Sequence, residues 1–538
     1  MLQLNKISIW LPLLLACVTA LGMKAGYTIY QNRANFQNSN SSAAFANTNG
    51  NGRLEELMQL VDAFYVDTVS VDNMSDKALS DFLQQLDPHS AYIAKSEIEM
   101  INSELSGSFD GIGVEFSIVN DTINVITALG GGPSEELGIT AGDKIIKIND
   151  TLVAGIGIKN SGVTKRLRGP KGTVVNISIK RAGSKNLIQY DITRAPIPVT
   201  SVDASYMITP EVGYIKINKF SATTYDEFIT AVTQLEKKGY KKLVLDLRDN
   251  PGGYLQAATL IADEFLSDNK MIVYTKGRKF PKKEYKAKRN GRCENIEIVV
   301  LMDTGSASAS EIVSGAIQDW DRGTIVGRRS FGKGLVQEQF DLADGSACRI
   351  TIAKYYTPTG RCIQRNFKPG EIEDYYKDLN DRVDNGELSH ADSMKITDTV
   401  RYLTPKGKVL YGGGGITPDV FVPIDTMRYS TDFYLARIQI PAFVYQYYNT
   451  KLEGIKSSYT IEKYVENFSI NDADYQAFLT YANNKSKALK IEKLAVHKAD
   501  IQLQIKATIA RQLWRDGGFY QVINTKDEDV QKAITVFK

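Results

Sequence analysis

The chain has 538 residues, 43% hydrophobic and 24% charged, with a formal net charge of +3. That is ordinary globular composition on a chain too long for one hydrophobic core, so roughly two to four domains are expected. The near-neutral balance implies no nucleic acid or other polyanionic partner. Cys17, Cys293, Cys348 and Cys362 show neither metal-ligand spacing nor a dense disulfide pattern, so no metal or cofactor is implied and their pairing stays open. Histidine is scarce, at His89, His390 and His497, which limits the bases open to a catalytic mechanism.

Lys6 precedes an apolar run over residues 7–23, the length of a membrane-crossing or signal segment. Residues 1–30 read as an uncleaved signal anchor. Leu14-Leu15-Ala16-Cys17 also resembles a lipobox that would lipidate Cys17, and a cleaved secretory peptide remains open. Each reading sends the later domains across a membrane, into the periplasm or otherwise outside the cytoplasm. Residues 31–52, rich in Asn, Ser and Ala, read as a flexible tether. Residues 53–98 carry helical periodicity at 53–63 (Leu54, Leu57, Met58, Val61) and again at 77–86. Asp87-Pro88 ends the second helix, and His89 beside it reads as a structural hydrogen-bonding histidine.

Residues 99–195 form a β-rich unit. Strands are expected over 111–119 and 122–129 around the turn Asn120-Asp121, followed by a tight turn at Gly142, a helical stretch near 163–167 and the strand 173–181. From 196 to 425 strands alternate with helices. The apolar runs 243–247 and 296–302 suit strands buried on both faces. Residues 276–292 are a basic run read as a solvated loop. Residues 366–403 are a polar insertion read as a surface excursion, and 426–538 a helical extension suited to packing or oligomerisation.

The strand at 296–302 leads through Asp303-Thr304-Gly305 into a helix near Ser308. A helix start leaves backbone N–H groups free and carries partial positive charge, so a serine there lies beside ready oxyanion donors. Such a serine is also an ordinary N-cap. A nucleophilic serine needs a base, and a lysine deprotonated by burial can replace histidine. Lys333, between Gly332 and Gly334 and followed by apolar residues, offers one, although taken alone it reads better as a surface lysine in a turn. Arg328 and Arg329 precede it by a few positions, and their charges can face outward.

Together these pieces resemble the carboxyl-terminal processing peptidases, or tail-specific proteases. The resemblance is carried by Leu86-Asp87-Pro88-His89-Ser90, Gly138-Ile139-Thr140-Ala141-Gly142-Asp143, Asp246-Leu247-Arg248 running on to Gly252-Gly253, Ser306-Ala307-Ser308-Ala309-Ser310, Gly332-Lys333-Gly334, Tyr355-Tyr356-Thr357-Pro358 and Gly415-Ile416-Thr417-Pro418-Asp419. It implies an α/β multidomain protein: a crotonase-like α/β protease core, an inserted β-rich PDZ domain and the helical C-terminal extension. It implies a Ser308–Lys333 dyad with Gln337 positioning the lysine, and an oxyanion hole at Gly252, Gly253 and Ala309. Gly111-Ile112-Gly113-Val114 would be the loop that binds a substrate's terminal carboxylate, and Arg168 the PDZ arginine linked to activation. The resemblance implies protein or peptide substrates with free C-termini as partners; the N-terminal segment adds the membrane, and the helical extension leaves a homo-oligomer open. Two other readings compete. One is a non-catalytic peptide-binding scaffold, which retention of Ser308, Lys333 and Gln337 argues against. The other is an HtrA-like protease, whose Gly-x-Ser-Gly-Gly motif is missing.

Overall fold

The computed structural model describes residues 52–537 apart from 182, 397, 426–429 and 487, so the expected anchor, the lipobox at Cys17 and nearly all of the tether lie outside the described residues. Among the described residues no helix is long and apolar enough to cross a membrane. The described residues up to Asp81 and those from Phe82 onward form two units. The first contains helix α1 (Arg53–Phe64) and most of α2 (Val71–Gln84). The second helix starts earlier than its apolar periodicity suggested because Ser70 begins it, its hydroxyl accepting from Asn73 N–H at 3.3 Å.

The second unit opens with a β-rich module. Strands β1 (Val114–Val119), β2 (Thr122–Ala128), β3 (Lys144–Ile148), β4 (Val174–Lys180) and β5 (Ile188–Thr193) form an antiparallel sheet in the order β1-β2-β3-β4-β5, with helix α3 (Asn160–Leu167) packed on it. Alternate residues such as Ile145, Ile177, Ile179 and Ile192 are fully buried, as one solvated and one packed face requires. Strand β1 is an edge. Residues 108–111 pair with 195–198, so the entry and exit of the module are stitched together.

The core is a six-stranded sheet in the order β6 (Val202–Met207), β7 (Val212–Ile217), β8 (Lys242–Asp246), β9 (Glu297–Met302), β10 (Thr324–Gly327) and β13 (Val420–Phe421), parallel except for β6. Helices α4 (Thr224–Lys237), α5 (Leu255–Asp263) and α6 (Ala309–Asp319) cover one face, on which Leu243, Leu245, Ile298 and Val300 pack. The intervening Val244, Val299 and Leu301 point the other way and need a second cover. Helix α9 (Glu528–Val536) supplies it through Val530 and Ala533, with Tyr520 from the preceding helix α8 (Lys498–Ile523) packed against the same cluster. The helical extension, whose own core centres on Phe443, Phe478 and Ile505, is therefore half of the central layer's packing.

A second sheet pairs β11 (Leu335–Asp341) with β12 (Ala347–Tyr356), and β12 with residues 91–93 and 271–276. Part of the basic run is a strand here: Lys276 ends the strand 271–276, residues 283–286 pair with it, and Ala287 is buried, so the solvated-loop expectation fails at these positions. The 366–403 insertion is not a surface excursion. Helix α7 (Ile372–Asp384) within it buries Tyr375 and Arg382 against the segment preceding β11. Arg328 and Arg329 do not face outward either. Both are inside, paired with Asp529 at 2.6 Å and Glu387 at 2.6 Å, because a buried guanidinium must keep a carboxylate.

Candidate active site

Strand β9 ends at Met302, and Asp303 turns the chain into α6. The Asp303 carboxylate accepts from the N–H groups of Gly305 (2.9 Å), Ser306 (3.1 Å) and Asp249 (2.9 Å), locking this turn to the one that follows β8. Ser306 and Ser310 are fully buried, and their hydroxyls donate to the carbonyls of Leu247 (2.8 Å) and Asn250 (2.9 Å). Ser308, between them, is partly exposed and stands at φ 54°, ψ −111°, a strained backbone for a residue with a side chain. Such strain costs on the order of 1–3 kcal/mol and persists where the surroundings over-determine it.

What over-determines it is Glu311, a fully buried carboxylate one turn into α6. It accepts from Ser308 N–H at 2.8 Å, the return half of a Ser-x-x-Glu capping box. It also accepts from Gly332 N–H (2.7 Å), Lys333 N–H (2.9 Å) and the Ser330 hydroxyl (2.5 Å). A second link is Tyr355 on β12, whose buried hydroxyl lies 3.1 Å from the Ser308 carbonyl and 2.5 Å from the Lys333 carbonyl. These two side chains bring the serine and the lysine segments together. Neither was singled out as a site residue from the sequence, although Ser308-Ala309-Ser310-Glu311 carries the capping-box signal for Glu311.

Lys333 is partly buried two residues before β11, and among the described residues it has no ion-pair partner. Burial pushes its ammonium below the ordinary lysine range, the Arg349 cation pushes the same way, and Glu311 and Asp87 offset them in part. Gln337, further along β11, donates to Thr351 Oγ1 (3.3 Å) rather than to the lysine, and Thr351 in turn donates to Asp87 (3.1 Å). The Asp87-Pro88-His89-Ser90 turn thus buttresses the lysine strand. His89 itself meets the Tyr375 hydroxyl at 3.0 Å.

The turn 250–253 lies against Ser308. A Cβ on Gly252 would come within 2.7 Å of the Ser308 Cβ and 2.8 Å of Ala309 N, and one on Gly253 would strike the Phe220 carbonyl at 2.0 Å, so both positions require glycine. The Gly252 N–H is committed to Asn250 Oδ1 at 2.9 Å, which removes it as an oxyanion donor; Gly252 contributes close approach instead. The N–H groups of Gly253 and Ala309 take no hydrogen bond from the described residues. Ala309 is fully buried at the first turn of α6, where a free N–H carries the helix's partial positive charge.

In the β-rich module, the carbonyls of Ile112 and Gly113 accept from Ser134 (3.1 Å) and Leu129 (2.9 Å), while the N–H groups of Ile112 and Gly113 are uncommitted among the described residues. Gly111 closes the strand before them, and Val114 opens edge strand β1. Arg168 caps α3 within the module, its guanidinium 4.2 Å above the Phe109 ring, and does not touch the serine or lysine segments. Cys293, Cys348 and Cys362 are unpaired, and no cluster of metal-ligating side chains occurs among the described residues.

Residues 211–374 match peptidase family S41, and residues 435–516, in the helical extension, match a family of unknown function. The chain is 35% identical over 317 residues to a carboxy-terminal-processing protease of Bartonella bacilliformis, covering 58% of this chain and 72% of that one. It is 34% identical over 330 residues to the carboxy-terminal processing protease CtpA of Bacillus subtilis, covering 60% and 70%. Among solved structures it resembles a photosystem II D1 C-terminal processing protease, at 26% identity over 70% of this chain and 93% of that one, with a TM-score of 0.36. By its similarity to these relatives, the chain belongs to the carboxy-terminal processing proteases and is a serine-type peptidase.

Proposed function

We propose that the protein is an endopeptidase that cleaves through Ser308 and Lys333 and recognises substrates by their C-termini. The observation that carries this reading is the junction at Glu311 and Tyr355, which joins the strained serine to the one lysine segment held beside it, next to two uncommitted N–H groups. Neutral Lys333 takes the proton of the Ser308 hydroxyl as Oγ bonds to the scissile carbonyl carbon. The Gly253 and Ala309 N–H groups receive the oxyanion. Lys333 then gives its proton to the leaving amine as the C–N bond breaks, and water repeats the sequence on the acyl-enzyme. Gln337 acts at one remove, holding β11 through Thr351.

The β-rich module is read as a PDZ domain on a crotonase-like core. A peptide would add as a strand to edge β1, its terminal carboxylate received by the free N–H groups of the loop 111–114. Arg168, stacked beside Gly111, would report occupancy of that loop. The apolar run at 7–23 supports work outside the cytoplasm, tethered to a membrane. The substrates are proteins or peptides with free C-termini, and homo-oligomerisation remains compatible with this reading. Ser308→Ala should abolish cleavage of an unfolded protein, and amidating a peptide's C-terminus should weaken its cleavage by the native enzyme. Retained cleavage by Ser308→Ala removes the nucleophile assignment; equal cleavage of amidated and free peptides removes the carboxylate-loop assignment.

A further inference from the structure

Helix α9 does more than cover the sheet. Asp527 starts it, with Oδ1 accepting from Val530 N–H at 3.0 Å, and both of its carboxylate oxygens accept from Arg248 Nη1 at 2.9 Å. Asp529, 5% exposed, accepts from Arg248 Nη1 (3.0 Å) through Oδ2, and from Arg328 Nη1 (2.9 Å) and Nη2 (2.6 Å) through both oxygens. Arg248 opens the turn that presents Gly252 and Gly253. Arg328 directly follows β10 and opens the segment that runs to Lys333. One buried carboxylate therefore joins the roots of two loops that meet again at Ser308.

The paired groups extend one step further, and the Asp303 carboxylate adds its charge at Arg248 and Arg328. Asp246 accepts from Arg248 Nη2 at 2.6 Å, from the Tyr214 hydroxyl at 2.7 Å and from Lys216 at 3.4 Å, and Lys216 also donates to the Arg248 carbonyl. Three carboxylates (Asp246, Asp527, Asp529) thus face three cations (Lys216, Arg248, Arg328). A guanidinium fork paired with a carboxylate fixes direction as well as distance. Here those fixed directions set where both loops leave the sheet.

We propose that Asp529 is a positioning residue of the peptidase, acting through Arg248 on the oxyanion turn and through Arg328 on the lysine segment. This rests on the Ser308–Lys333 reading. Because small displacements of reacting groups cost rate steeply, Asp529→Asn in the full-length chain should lower kcat on a peptide substrate roughly 10- to 100-fold. KM should change by no more than about twofold, since peptide binding does not pass through this network. The rate of Ser308 labelling by a serine-reactive probe should fall with kcat, and kcat is to be normalised to the sites that finally label. Asp527→Asn, which touches Arg248 alone, should have a smaller effect in the same direction. Val530→Ala should lower the melting temperature while leaving kcat per labelled site intact, as a change in packing alone does.

Asp529→Asn with unchanged kcat per labelled site, against an inactive Ser308→Ala, overturns the proposal and leaves the dyad standing. A Ser308→Ala enzyme that still cleaves overturns the dyad reading instead. If Asp529→Asn does not fold, Asp527→Asn decides by the same measure: a reduced kcat supports the proposal and an unchanged one overturns it.

Discussion

The turn that presents Ser308 is built by neighbours in sequence and by the adjacent strand end, whereas the segment that carries Lys333 is held by parts of the chain far from it. Around Ser308 the restraints are mostly near it, Glu311 one turn on, Asp303 just before, and Asn250, whose carbonyl accepts from Ala307 N–H at 3.0 Å, with Tyr355 the distant one. Around Lys333 they come from everywhere. Arg382 in the 366–403 insertion donates to the Ser330 carbonyl at 2.8 Å, and Gln364 accepts from Gly334 N–H at 2.7 Å. The Arg365 guanidinium lies against the rings of both Phe331 (4.3 Å) and Tyr375 (4.1 Å). The difference suits the role proposed for each residue. A nucleophile needs an orientation, which one turn of backbone can set. A lysine base needs low polarity around it, which only packing by several segments can produce.

The largest expected effect tests the base directly. Lys333→Ala should abolish turnover, and Lys333→Arg should do so too, because a guanidinium stays protonated and cannot take the serine proton. In the native enzyme, kcat/KM should rise with pH through a lysine titration lying below the ordinary lysine range. The folded state favours the neutral amine, so its contribution to stability is full above the unfolded lysine's pKa and is lost as pH falls through the folded one. Arg349→Gln removes a cation that disfavours the ammonium, so the rising limb of the pH–rate profile should move to higher pH. A profile that stays in place would show that Lys333 is not the titrating group.

A smaller effect is expected where the two halves join. Glu311→Gln keeps the size but turns one acceptor oxygen into a donor facing N–H groups that already need acceptors. It should destabilise the fold by about 1–3 kcal/mol, the cost of buried donors left unsatisfied. It should also slow Ser308 acylation by more than that loss of stability removes folded enzyme. If acylation per folded molecule were unchanged, Glu311 would be a helix cap and nothing more.

The same division decides what could be read from the sequence. Strands with alternating or continuous apolar runs were legible because their burial is written in period two, and Leu243-Val244-Leu245 pack alternately on opposite faces of the sheet. The placement of Ser308 and Ala309 at a helix start was legible because it is set by neighbours in sequence. Gly252's loss of its N–H to Asn250 was not, because the sequence does not show which of two adjacent glycines turns its N–H inward. The insertion and the two arginines were misread for one reason. A polar, charged stretch reads as solvated unless its counter-charges are visible, and Arg328 and Arg329 find theirs 201 and 58 residues away, at Asp529 and Glu387.

The smallest effect concerns His89, the side chain closest to being an alternative base. Burial, then the Lys333 charge and Arg365, hold its pKa down to about 4, against a raising pull from Asp87. A depressed histidine contributes stability that is full above its unfolded pKa and is lost as pH falls through the folded value, here between about 6.5 and about 4. The shift corresponds to a contribution on the order of 3 kcal/mol. Unfolding free energy measured from pH 8 to pH 4 should fall across that window, and His89→Gln should flatten the fall while losing the contact with Tyr375. At pH 8 the histidine is neutral in both states, so the variant's acylation of Ser308 should match the native rate per folded molecule. A folded His89→Gln enzyme that could not be acylated at pH 8 would transfer the proton chemistry from Lys333 to the histidine. A flat native stability curve between pH 6.5 and 4 would instead show that the turn at 87–90 leaves the ring open to water.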